Sequence, residues 1–160
     1  MTQYCIAVVG PGESATQEAI DDALLVGRRI AERGWVMICG GRATGVMAAA
    51  ARGAKAAGGL SIGILPGADR AGASEDLTLS LPTALGEARN AVIVTAADAV
   101  VACGMNPGTA SEVSLALRAG KPTVLVRPAP ATAAFFAKLG LVYVATSADD
   151  AIDSIAPRLR

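Results

Sequence analysis

The chain of 160 residues contains no histidine. That excludes histidine general bases, histidine metal ligands and any Ser-His or Cys-His catalytic arrangement. Aromatic residues make up 3%, so large rings cannot dominate the core. Cysteine is scarce: Cys5, Cys39 and Cys103 lie far apart, each in an apolar segment. Their odd number and lack of metal-ligand spacing predict buried, reduced thiols. Reduced thiols in turn suit a cytoplasmic setting. There is no excess of either charge, with 14 basic and 14 acidic residues, and hence no sign of a nucleic-acid or membrane partner. No segment reaches the roughly 18 consecutive apolar residues of a membrane span. No basic run precedes an apolar core at the start, so no signal peptide is expected.

What the chain does contain is apolar residues (52%) and glycine (18 residues), with 18% charged. This composition predicts one folded domain over residues 1–160. Short apolar runs alternate with helical patterns. Strands are expected at 4–9, 35–39, 60–65, 77–81, 99–103, 123–126 and 141–145. Helices are expected at 14–33, 46–57, 85–96, 109–119, 132–139 and 147–155. Ser14 with Gln17 has capping-box spacing, Gly34 supplies a stop, and Ser147 is placed to cap the last helix. Several strands are apolar throughout, as expected when both faces are covered. The fold class is therefore α/β: a Rossmann-like, doubly wound, mostly parallel sheet with helices on both faces. With so few aromatics and so much Ala and Gly, its elements must pack through small side chains.

In such a sheet, ligands bind beyond the carboxyl ends of the strands, and four segments there carry unusual residues. Gly10-Pro11-Gly12-Glu13-Ser14 is either a site of close backbone approach to a ligand or a tight strand-to-helix turn. Gly40-Gly41-Arg42-Ala43-Thr44-Gly45 lacks the P-loop ending and the dinucleotide spacing. It nonetheless sets glycines and an Arg at a helix N-terminus, which favours an anion. In Gly104-Met105-Asn106-Pro107-Gly108-Thr109-Ala110-Ser111-Glu112, Thr109 and Glu112 satisfy a capping box. Gly108 also leaves room there for a bound group. Thr109 could then give a hydroxyl and an N–H to phosphate, and Glu112 could face a sugar or heterocycle. Finally, Glu87, Arg89 and Asn90 enter an apolar helix, where Arg89 is either a surface residue or an anion clamp.

The pieces GGRATGVM, IGILPG, ARN and GT-x-x-E, in this order, resemble the Rossmann-like superfamily once labelled "lysine decarboxylase-like". No pyridoxal-phosphate lysine is evident to justify that label. The superfamily includes cytokinin-activating phosphoribohydrolases and molybdenum cofactor carrier proteins. The hydrolases carry P-G-G-x-G-T-x-x-E and M-H-x-R-K, and Arg89 and Glu112 match their catalytic Arg and Glu. Here, however, Met105 and Asn106 replace the paired glycines, Glu87 the His and Asn90 the Lys. The carrier proteins are more similar, with G-x-G-P-G-T-A-x-E at this place, a G-P-G turn after the first strand, and counterparts of GWVMICGGRATGVM and GLSIGILPGAD.

This resemblance implies a non-catalytic carrier or storage protein for the molybdenum cofactor, a phosphorylated pterin whose dithiolene holds the metal. No metal ligand from the protein is implied. The alternatives are a nucleoside 5′-monophosphate phosphoribohydrolase using Arg89 and Glu112, or a nucleotide-sensing module; either would take an AMP-like nucleotide. The ligand-binding residues implied are Gly10, Gly12, Gly40, Gly41, Arg42, Gly45, Arg89, Asn90, Gly104, Asn106, Gly108, Thr109 and Glu112. The partners implied are a phosphorylated small molecule, cofactor-receiving molybdoenzymes and further copies of the chain in a homodimer or homotetramer. Helix faces such as 91–97 are candidates for that contact.

Overall fold

Seven short strands form one parallel sheet in the computed structural model, which describes residues 3–159. They are β1 (Cys5–Val9), β2 (Val36–Cys39), β3 (Ser61–Leu65), β4 (Leu79–Pro82), β5 (Ala99–Cys103), β6 (Thr123–Val126) and β7 (Tyr143–Ala145). The helices between them are α1 (Gln17–Glu32), α2 (Gly45–Ala56), α3 (Arg89–Ala96), α4 (Pro107–Arg118), α5 (Pro130–Ala137) and α6 (Ala148–Ile155). The strand order is β4-β3-β2-β1-β5-β6-β7. The chain thus winds outward from β1 in one direction, then returns to pair β5 with β1, Val8 opposite Val101. This is the doubly wound sheet that the apolar runs predict.

Alternation along each strand divides the core in two. Ile6, Val8, Met37, Cys39, Val101 and Val124 pack with α1, α2 and α6. Ala7, Val9, Ile38, Val100 and Leu125 pack with α3, α4 and α5. Small residues bring neighbouring helices of one layer close. A Cβ added at Gly53 of α2 would stand 1.9 Å from the Leu24 carbonyl oxygen of α1. The expected packing through small side chains is therefore realised where α1 crosses α2.

Several expected element starts shift. Helix α1 begins at Gln17, and Thr16 caps it by accepting the Ala19 N–H at 3.2 Å. Ser14 is not the cap, because the Ala15 N–H bonds to the Gly12 carbonyl at 3.1 Å and holds Ser14 in a turn. The helix expected over 85–96 is divided into a 3₁₀ turn, Gly86–Ala88, and α3. Gly34 lies at φ +70, where a helix stop needs glycine, and Ser147 caps α6 by accepting the Asp150 N–H at 3.1 Å. Cys39 and Cys103 are buried as expected, but Cys5, at the start of the central strand β1, is only half-buried. All three thiols are free, and burial pushes those of Cys5 and Cys39 up to about 11 and that of Cys103 further. No helix of the described residues is long and apolar enough to cross a membrane.

Candidate functional site

A cleft of about 410 Å³ opens at the carboxyl ends of β1, β2 and β5. It sits where the winding reverses between β1 and β5, the crevice in which such sheets hold ligands. Of the residues singled out in the sequence, Gly10, Gly12, Gly40, Arg42, Arg89, Asn90, Asn106, Gly108, Thr109 and Glu112 line it. Gly41, Gly45 and Gly104 do not. They have positive φ and lie against protein, Gly41 beside Gly63, Gly45 beside the Gly12 carbonyl, Gly104 beside Pro11. Their role is to shape the loops behind the cleft. Gly10 and Gly40 also answer to close packing: added Cβ atoms would come within 2.3 Å of the Cys103 carbonyl and 2.8 Å of the Arg89 guanidinium.

The wall from α4 differs from its capping-box reading. The helix starts two residues earlier, at Pro107, which is suited to a first helical position. Asn106 is the cap: its Oδ1 accepts the Thr109 N–H at 2.8 Å and the Thr109 hydroxyl at 2.9 Å. Both Thr109 groups suggested for phosphate are therefore engaged within the protein. Glu112 is freed from any capping role, and it points instead to the cleft floor.

The wall from α2 is open. Thr44 is its cap residue but makes no side-chain capping bond. The Val46 N–H goes to the Pro11 carbonyl at 3.0 Å, while those of Gly45 and Met47 have no partner among the described residues. Free N–H groups at a helix start attract an anion. Arg42 is exposed at the same corner, and its loop is pinned by the Ala43 N–H to Gly72 carbonyl and Ser74 N–H to Gly41 carbonyl bonds, 3.0 and 2.9 Å. The loop over 68–76 thus has a structural job that its composition did not reveal.

The floor holds the two charged residues of greatest interest. Arg89 is only 6% exposed, which settles that it is no surface residue. Its guanidinium donates to the Ile64 carbonyl at 2.9 Å, to Asn90 Oδ1, and to the Gly40 carbonyl at 3.4 Å. Asn90 in turn donates to the Ser111 hydroxyl at 3.2 Å, tying α3 to α4. Glu112 is 7% exposed. Its carboxyl is pushed up to about 7, chiefly by burial and further by Glu87, with Arg89 opposing. Sequence reasoning left Val8, Val9, Thr44 and Met47 out of the site, and quoted Glu13, Ser14 and Glu87 without assigning them to the ligand; all line the cleft. Thr44 was recoverable as the residue before a helix start; Val8 and Val9 carry no chemical signal.

A second hollow, about 570 Å³, lies at the opposite edge of the sheet, lined by Asp98, Lys121, Tyr143 and Arg158 among others. Lys121 there is committed to the Thr95 carbonyl at 2.7 Å. Although larger, it lies away from the strand carboxyl ends and from every glycine-rich corner. Among the described residues no cluster of Cys, Asp and Glu is arranged to hold a metal ion.

The chain is similar to solved structures over its whole length. It matches the molybdenum cofactor binding protein from Rippkaea orientalis at 41% identity and TM-score 0.97, covering 100% of this chain and 99% of that one. It matches the molybdenum cofactor carrier protein from Chlamydomonas reinhardtii at 40% identity and TM-score 0.92, covering 98% of each. It is also 41% identical to an uncharacterised protein of Archaeoglobus fulgidus, over 77% of this chain and 80% of that one. The resemblance carried by GMNPGTASE and the G-P-G turn is thereby borne out. The family model described as "SLOG cluster4 family" matches residues 3–152, and the chain belongs to that family.

Proposed function

We propose that this protein binds the molybdenum cofactor and carries or stores it without catalysing a reaction. The observation that carries the reading is one cleft with two unlike ends, in a chain 41% identical to a cofactor-binding protein. The α2 end offers free N–H groups, the Thr44 hydroxyl and Arg42, a donor set suited to a phosphate. The floor offers the buried Glu112 carboxyl beside Arg89, suited to a polar heterocycle. When bound, the cofactor supplies its own dithiolene for the metal, so the protein's task is to hold the phosphate and ring and to limit water.

Cofactor retained through native purification, seen as a pterin phosphate by mass spectrometry and as molybdenum by metal analysis, is the expected result. Protein that neither copurifies with the cofactor nor takes it up at micromolar concentration ends the proposal. The rival hydrolase reading draws on Arg89 and Glu112 sharing the cleft. Release of free base from AMP would favour it; none is expected.

We infer further that the protein acts in the cytoplasm as a homodimer or homotetramer and delivers cofactor to molybdoenzymes. Ala91, Val92, Thr95 and Ala96 of α3 are exposed while Ile93, Val94 and Ala97 are buried. The outer half of this segment supports the subunit contact. Light scattering on wild type and on Val92→Glu tests it; an unchanged mass for both, equal to one chain, removes it.

A further inference from the structure

Glu112 presents a problem that the fold does not solve. It is an acidic residue only 7% exposed. Among the described residues it takes no hydrogen bond and forms no ion pair within 4.0 Å. Leaving a buried polar group without a partner is costly, and more so when it is charged. Its neighbour Arg89 spends three donors on Ile64, Asn90 and Gly40. Glu112 does line the cleft, and no buried side-chain oxygen in the described residues is fully sealed without a partner. The free side of the carboxyl therefore opens to the ligand.

We propose that Glu112 recognises the ligand's ring by accepting two parallel hydrogen bonds from an adjacent N–H and NH₂, the edge that a 2-amino-4-oxopyrimidine presents and adenine lacks. This rests on the cleft being the cofactor site, since a pterin carries that edge. A carboxylate has two acceptor oxygens and matches two neighbouring donors. A protonated carboxyl matches one donor and one acceptor, the pattern of adenine. The charge of Glu112 thus selects the ring. The charged or titratable groups around it are Arg89 and Glu87 from the segment entering α3, Arg42 from the α2 corner, Glu13 from the first turn and Cys39 from the end of β2. Burial pushes the Glu112 carboxyl of the free protein up to about 7. Binding a donor–donor edge stabilises the ionised form, so the proton leaves to solvent as the ligand enters. Affinity for such a ring rises with pH up to the free carboxyl's midpoint and then levels.

GMP, IMP and AMP separate the terms. All three carry the same phosphosugar; GMP has both donors, IMP lacks the amino group, and AMP has donor and acceptor. Calorimetry of each at about pH 6 and about pH 8, in buffers of different protonation enthalpy, reads affinity and proton release together. GMP is expected to bind about tenfold more tightly than IMP or AMP at the higher pH, with proton release near pH 7. Glu112→Gln, which offers one acceptor and one donor, is expected to abolish the GMP preference and the proton release, and to hold AMP at least as well. Equal affinities for the three nucleotides, with inorganic phosphate displacing all of them, would overturn the inference and leave the phosphate site standing. A cleft that retains cofactor in Glu112→Gln with unchanged affinity overturns it too. Failure of phosphate, the nucleotides and the cofactor alike to bind would take the carrier reading down with it. The pH dependence is measured on wild type, so the test does not depend on the variant folding.

Discussion

Helices α2 and α4 both begin at the rim of one cleft, each after a strand end and each with glycine and threonine in its first turn or cap. They differ in what their cap residue does. Asn106 closes the α4 start by binding both polar groups of Thr109. Thr44 leaves the α2 start open, its hydroxyl standing against Gly12, where an added Cβ would come within 2.9 Å. Pro107 contributes no N–H to the α4 corner, which widens the difference. The lesson is that a helix start near a ligand crevice is an anion site only to the extent that its own cap leaves donors unused.

The sharpest way to break the open corner is Gly45→Val. Gly45 has φ +53, and an added Cβ would lie 2.1 Å from the Gly12 carbonyl oxygen. Strain and overpacking together should cost about 3 kcal/mol or more, seen as a Tm lower by roughly 10 °C. An unchanged Tm would mean that the corner is not rigid. The floor between the two corners is probed by pH. Because the Glu112 carboxyl is raised from its ordinary 4.5 to about 7, its contribution to stability is full below pH 4.5 and is lost as pH rises through 7. Glu112→Gln should therefore gain stability relative to wild type across that window, by up to about 3 kcal/mol, and level off above it. A difference that is flat with pH would place the carboxyl in water.

The corners themselves are compared by two milder changes. Arg42→Ala should weaken binding of a phosphate-bearing ligand about tenfold while leaving Tm alone, because its exposed side chain serves the ligand and not the core. Asn106→Ala should do the reverse. Losing the cap costs about 1 kcal/mol, a fall in Tm of roughly 3 °C, while the freed Thr109 N–H leaves phosphate affinity equal or improved. If Asn106→Ala instead weakens phosphate binding and Arg42→Ala does not, the anion belongs at α4.

The fold was legible because buried parallel strands need continuous apolar runs, and 99–103 and 123–126 are β5 and β6 to the residue. The winding follows from alternation with helical segments. The site was legible as a set of loops at strand ends, and ten of the thirteen residues that the resemblance implied for a ligand do line the cleft. The three exceptions are glycines with positive φ, whose need for freedom comes from neighbouring backbone rather than from a ligand. A glycine looks the same in sequence whichever of these demands it meets. The caps were misread for a related reason: Ser14 and Thr109 have capping-box spacing, but Thr16 and Asn106 hold the positions from which a side chain reaches the third N–H.

By itself, then, the sequence determined the layered α/β architecture, the crevice at its centre and the residue types that surround it, because hydrophobic pattern and glycine spacing are local properties. It also ruled out histidine chemistry outright. Only tertiary structure decided which donors remain free. Arg89 is drawn inward by the carbonyls of Ile64 and Gly40, 25 and 49 residues away. Arg127 meets the buried Asp22 at 3.1 Å across 105 residues. Glu112 is left without a partner at the floor of a cleft built by segments far apart along the chain. Whether a polar group is satisfied depends on what the rest of the chain brings to within about 3 Å of it, and no local pattern carries that information.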